Sequence, residues 1–91
     1  MRENAIEKYL HDRVKELGGV HRRIKWIGRK NAPDDMLLLP GEHMLVECKR
    51  LGEKPRPGQE REHERLRAAG IQVHVVSTFE QIDELLKKEK Q

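Results

Sequence analysis

The chain has 91 residues, which predicts one domain over positions 1–91 with a modest core and makes an obligate partner subunit plausible. Its residues are 35% hydrophobic and 38% charged, and 19 basic against 16 acidic side chains leave a formal charge of +3, too even a balance to identify a nucleic-acid binder unless the charges are unevenly placed. The lone cysteine, Cys48, excludes an intrachain disulfide and argues against a cysteine-built zinc site, and no apolar run approaches the ~20 residues of a bilayer span, so a soluble protein of a reducing cytoplasm is expected.

Ile6, Leu10, Val14 and Leu17 recur at helical spacing from Arg2 onward, and Gly18-Gly19 supplies the stop, so a first amphipathic helix is predicted over 2–17. At about 100° per residue Glu3 projects near the centre of the apolar stripe and Glu7 toward its edge. Positions 21–27 alternate roughly between basic and apolar residues, with Ile24 and Trp26 on one face, and predict a strand ending at Gly28. Asn31-Ala32-Pro33-Asp34 is turn chemistry. Met36 to Leu39, the turn Pro40-Gly41-Glu42 and Met44 to Lys49 then predict a β-hairpin. The prolines and glycines of 51–58 predict a loop before a second helix over 59–69, whose apolar face is thin and carries Gln59 and His63. Ile71, Val73 and Val75 alternate as a strand. Ser77 or Thr78, with Glu80 or Gln81 three residues on, predicts a capped third helix bearing Phe79, Ile82, Leu85 and Leu86. The predicted order is α-β-β-β-α-β-α.

The chemistry concentrates at Pro33-Asp34 and at Glu47-Cys48-Lys49. Alternate residues of a strand share a face, so Glu47 and Lys49 project together while Val46 and Cys48 face the other way. A hairpin pairing brings Asp34 beside Glu47. Two carboxylates with a backbone carbonyl, that of Cys48, suit a hard octahedral cation, magnesium or manganese, which lowers the pKa of a bound water and polarises a phosphoryl oxygen. Lys49 can orient that water or offset growing negative charge. Glu3 can complete the shell through a water, and Gln59 can position the nucleophile or a phosphate. Two basic runs flank these carboxylates, with Arg22, Arg23, Lys25, Arg29 and Lys30 in one and Arg50, Lys54 and Arg56 in the other, and both are candidate phosphate contacts.

This pattern closely resembles the VRR-NUC domains (virus-type replication-repair nucleases) of the PD-(D/E)XK superfamily, in the small stand-alone form of phages and bacteria. The resemblance rests on Gly28, Ala32-Pro33-Asp34, Leu37 to Pro40, Val46-Glu47-Cys48-Lys49, Pro55-Arg56-Pro57 and Gln59, with Val73 to Val76 and Gln81 to Leu86 following. It implies a restriction-endonuclease-like α/β core, a mixed sheet of about four strands flanked by helices. It also implies that Asp34 and Glu47 bind metal, that Lys49 is catalytic, that Gln59 belongs to the site and that Glu3 is the first-helix acid. Asp35 stands where such sequences carry a basic or apolar residue, and Asp34 is taken as the inward aspartate. The implied partner is DNA, branched or otherwise structured and including Holliday junctions, cut by a homodimer in a bacterial or phage-infected cytoplasm, with no membrane and no nucleotide cofactor.

Bland readings stand beside these. Glu47 and Lys49 can be a charged edge-strand face, Glu3 a helix N-terminal acid, Glu7 a surface partner for Lys8 or His11, and Gln59 a cap of its own helix. His11, His21, His43, His63 and His74 lack metal-ligand spacing; Trp26 fits core packing better than base stacking. Cys48 fits the core. A DNA-binding module without catalysis and a nonspecific nicking or single-strand nuclease are the functional alternatives.

Overall fold

The computed structural model describes residues 3–87, and of Glu3 the backbone alone. The elements run α1 (Glu3–Glu16), β1 (Val20–Arg23), β2 (Asp35–Leu39), β3 (Glu42–Cys48), α2 (Pro57–Ala68), β4 (Gln72–Val76) and α3 (Phe79–Leu86). This is the order the sequence predicts. The strands form one mixed sheet in the order β1-β2-β3-β4, antiparallel at the first two contacts and parallel between β3 and β4, where α2 makes the crossover.

Strand alternation sorts the side chains. Leu37, Leu39, Met44, Val46, Cys48 and Val76 turn to one face and meet Ile6, Leu10 and Val14 of α1 and Ile82 and Leu86 of α3 in a single apolar cluster. The other face, bearing Leu45, Glu47, Val73 and Val75, lies toward α2, whose buried residues are Gln59, Glu62 and His63. A helix whose inward side is polar cannot supply much burial energy; it supplies functional groups to that face instead.

Local chemistry fixes the ends. Pro40-Gly41 closes the β2–β3 hairpin, with Gly41 at φ 77°, the left-handed position that glycine takes after proline in a type II turn. Thr78 caps α3, its hydroxyl accepting from the Gln81 N–H at 3.0 Å.

The boundaries of β1 and α2 differ from expectation for identifiable reasons. β1 covers 20–23 rather than 21–27. Ile24 N–H still bonds the Asp34 carbonyl at 2.8 Å, but the chain then leaves the sheet and the Trp26 indole N–H donates to the Pro33 carbonyl at 2.8 Å, so 24–34 is a braced loop. α2 begins at Pro57, before the predicted Gln59, because proline is favoured in the first helical turn, where no N–H is needed.

β1 and β3 both run against β2, and α1 runs back along the sheet. The end of β1, the start of β2, the end of β3 and the start of α2 therefore gather at one end of the sheet. The sequence-predicted site residues lie there.

Candidate active site

Glu47 and Lys49 share the α2 face, with Lys49 Nζ 3.9 Å from Glu47 Oε2 and both side chains largely buried. Burying a carboxylate is costly without charge partners, and Lys49 is one that strand geometry fixes in place. His63 of α2 lies over the same group, its Nε2 3.8 Å from Glu47 Oε1. Burial pushes the His63 pKa down, with the charges of Arg67 and Lys49 adding to the shift, so this ring favours its neutral form beside the carboxylate.

The β2–β3 register pairs Asp35 with Val46. Asp34 precedes the first residue of β2, and continuing the register by one residue brings it across from Glu47. Asp34 is about half exposed, with Arg23 Nη2 3.7 Å from its Oδ2. Asp35 faces the other way. It is 1% exposed and accepts from His21 Nε2 at 2.7 Å, while His21 Nδ1 meets His11 Nδ1 at 2.9 Å. Glu7, Asp35 and Cys48 bring one carboxylate oxygen each and the thiol within 4.8 Å of one another on this side. Burial pushes the Cys48 thiol pKa far up, and the nearby carboxylates of Asp35 and Glu7 push it further, so the sulfur is a poor thiolate ligand.

The end of the hairpin opens a backbone oxygen. Lys49 N–H donates to the Val76 carbonyl at 2.8 Å, which directs the peptide groups of Lys49 to β4 and those of Cys48 to the β2 side. There the register places Pro33, which has no N–H to give. The Cys48 carbonyl is thus left without a ladder donor from Pro33. Carboxylate and backbone carbonyl oxygens are the donor types that suit a magnesium- or manganese-type cation.

Other predicted residues fall as follows. The side chain of Glu3 lies outside the described residues. Glu7, expected at the surface beside Lys8 or His11, instead reaches the site end: Arg23 Nη1 donates to its Oε1 at 2.9 Å, and Lys8 pairs with Asp12. Arg23 thereby links Glu7 to Asp34. Gln59 is buried, and its Oε1 accepts from the Arg56 N–H at 3.0 Å, closing the N-terminus of α2. Arg23, Lys25 and Arg29 line a groove with Asp34 and Trp26. Arg29 also pairs with the buried Glu62, and Arg22 donates to the His21 carbonyl at 2.9 Å. Lys30, Arg50, Lys54 and Arg56 are exposed on the loops at this end.

Sequence reasoning did not assign roles to Glu62 or to the His21–Asp35 pair. The Asp34-Asp35 doublet held the signal for the latter, because neighbouring strand residues must face opposite sides, and His21 lies on the adjacent strand.

No family model matches the chain. It is 46% identical over 79 residues, 86% of this chain and 85% of the relative, to the protein of Acyrthosiphon pisum secondary endosymbiont phage 1 named "Putative nuclease p44". It is also similar to a solved structure described as a VRR_NUC domain, with a TM-score of 0.87 and 42% identity across 93% of this chain and 94% of that one. With the fold, the hairpin register and these two relatives in agreement, the chain belongs to the VRR-NUC family of nuclease domains.

Proposed function

We propose that this chain, as one nuclease domain over 1–91, is a magnesium- or manganese-dependent endonuclease that hydrolyses DNA phosphodiester bonds. Its preferred substrates are branched, such as Holliday junctions, and it acts as a homodimer in phage or bacterial replication, recombination or repair. The observation that supports the reading is the buried Glu47–Lys49 pair at 3.9 Å on the α2 face, at the sheet end where continuing the Asp35–Val46 register brings Asp34 across from Glu47.

Asp34, Glu47 and the Cys48 carbonyl would hold the cation, with Glu3 the first-helix acid that completes its shell through a water. A divalent cation there supplies a water of lowered pKa and charge compensation on the phosphoryl oxygen. Lys49 holds the attacking water in line and opposes the negative charge that grows on the phosphate. The Gln59 amide donates to a phosphate oxygen, and the exposed cations of the two flanking loops grip the backbone on either side. His63 sits beside Glu47 with its pKa pushed down by burial, which favours the neutral ring there. One site per chain and two strands to cut at a junction favour a dimer with two-fold symmetry.

The test is cleavage of labelled four-way, flap, single-stranded and linear duplex DNA with magnesium or manganese, comparing the wild type with Lys49→Ala, alongside light scattering for the mass. Metal-dependent cutting that favours the branched forms and is lost in Lys49→Ala supports the reading. Binding without cutting under either metal replaces it with the DNA-binding module, and equal cutting of all forms with the nonspecific nuclease.

A further inference from the structure

Three large apolar side chains are exposed among the described residues: Val20 at 38%, Ile27 at 96% and Leu51 at 64%. Isolated exposed apolar residues are ordinary on protein surfaces. The placement of two of these is not. Ile27 follows the end of β1 and Leu51 the end of β3, so both stand on the rim of the sheet end that carries Asp34, Glu47 and Lys49. Val20 begins β1, at the far end.

The loop that carries Ile27 is braced on every side. Ile24 N–H bonds the Asp34 carbonyl, the Trp26 indole N–H bonds the Pro33 carbonyl, and the Arg29 guanidinium bonds the buried Glu62 carboxylate of α2. Asn31 packs so closely on Gly58 that a Cβ there would come within 2.8 Å of its Nδ2. A fold that ties down the residues on both sides and leaves the isoleucine outside presents it, held in position. The exposed neighbours in sequence are cationic: Lys25 and Lys30 in the loop of Ile27, and Arg50 and Lys54 beside Leu51.

We infer that Ile27, assisted by Leu51, is an apolar wedge that seats against the open face of a base where a DNA stack is interrupted, while the surrounding cations hold the flanking phosphates. The inference rests on the nuclease reading and deepens it, because it assigns the choice of substrate structure to particular side chains. Apolar side chains that enter base steps are a recurrent device of DNA-bending proteins, and a polyanion with flat apolar faces matches an exposed isoleucine in a basic loop of a nuclease domain. An intact duplex keeps those faces stacked and out of reach. A branch, flap or nick offers them. A second copy of this chain docking symmetrically through the same tip would bring like charges together.

The experiment places 2-aminopurine at the branch point of a four-way DNA and binds it, without magnesium, to Lys49→Ala protein and to the Lys49→Ala/Ile27→Ser double variant. The single variant is expected to raise the fluorescence by unstacking the base, and the double variant to bind without that rise; Ile27→Leu in place of Ile27→Ser restores it. In the magnesium assay, Ile27→Ser alone should lower the ratio of four-way to linear cleavage by about tenfold, the scale of one lost wedge contact. An unchanged fluorescence rise and an unchanged ratio overturn the wedge. So does a fall in molecular mass in Ile27→Ser with the fluorescence rise intact, which would assign the side chain to an interface between copies. Because the fluorescence is read without metal or turnover, a wild type that never cuts DNA sinks the nuclease reading while the wedge is still judged by its own signal.

Discussion

Asp34 stands opposite Glu47, one step beyond the Asp35–Val46 pair at the end of the β2–β3 ladder. Carboxylates directly across an antiparallel pair repel each other, so the hairpin accepts a local penalty at the place where a cation would relieve it. Metal-free Asp34→Asn protein is expected to be more stable than the wild type by up to about 1 kcal/mol, and magnesium should raise the melting temperature of the wild type alone. Thermal melts with and without magnesium check both. An equal magnesium effect on the two proteins would mean that Asp34 holds no cation.

Pro33 acts through the donor it lacks. Replacing it with alanine supplies an N–H opposite the Cys48 carbonyl and lets the ladder close over that oxygen. Pro33→Ala is expected to stay folded and to need about tenfold more magnesium for half-maximal cleavage, the scale of a lost supporting contact at a metal site. A magnesium titration of the cleavage rate reads this directly; an unshifted midpoint would mean the carbonyl plays no part.

The first of these arguments was legible in the sequence and the second only in outline. Period-two alternation sufficed to put Glu47 with Lys49 and Cys48 with the core, and the Pro-Gly turn fixed the register that brings Asp34 into line. What the sequence could not supply was competition between neighbours. Glu7 seemed a surface acid because its partner, Arg23, comes from β1 rather than from its own helix. Trp26 and Ile24 alternated like strand residues, yet the sheet ends at Arg23 because the indole N–H finds a loop carbonyl instead. Gln59 was equally readable as a site residue or a cap, and the Arg56 N–H engages its oxygen for the cap. Long-range polar pairings of this kind leave no periodic trace.

The Cys48 thiol is 2% exposed, and burial with nearby carboxylates raises its pKa. In folded protein near pH 8 it is expected to react with a thiol reagent orders of magnitude more slowly than in urea. Comparable rates in the two conditions would contradict the core position of that strand face.

Glu62 is held below the ordinary glutamate pKa, near 4.5, by its bonds to Arg29 and then Arg65. A carboxylate depressed in the folded state contributes stability that is present above the unfolded pKa and lost as pH falls through the folded one. The melting-temperature gap between the wild type and Glu62→Gln should therefore be widest above the ordinary glutamate pKa and narrow as the pH falls below it. A gap independent of pH would mean that the Arg29 brace is not ionic.

The most direct test of the active-site assignment is the rate of four-way DNA cleavage against magnesium concentration for the wild type, Asp34→Asn and Asp35→Asn. The two aspartates are adjacent in sequence and lie on opposite faces of the sheet, so the comparison separates a metal ligand from a buried partner of His21. The wild type should cut only with the metal. Asp34→Asn should fall by about a hundredfold or more, on the scale of a lost transition-state interaction. Asp35→Asn should lose stability while keeping most of its rate. Cleavage by Asp34→Asn at the wild-type rate, or wild-type cleavage undiminished in a chelator, would contradict the account.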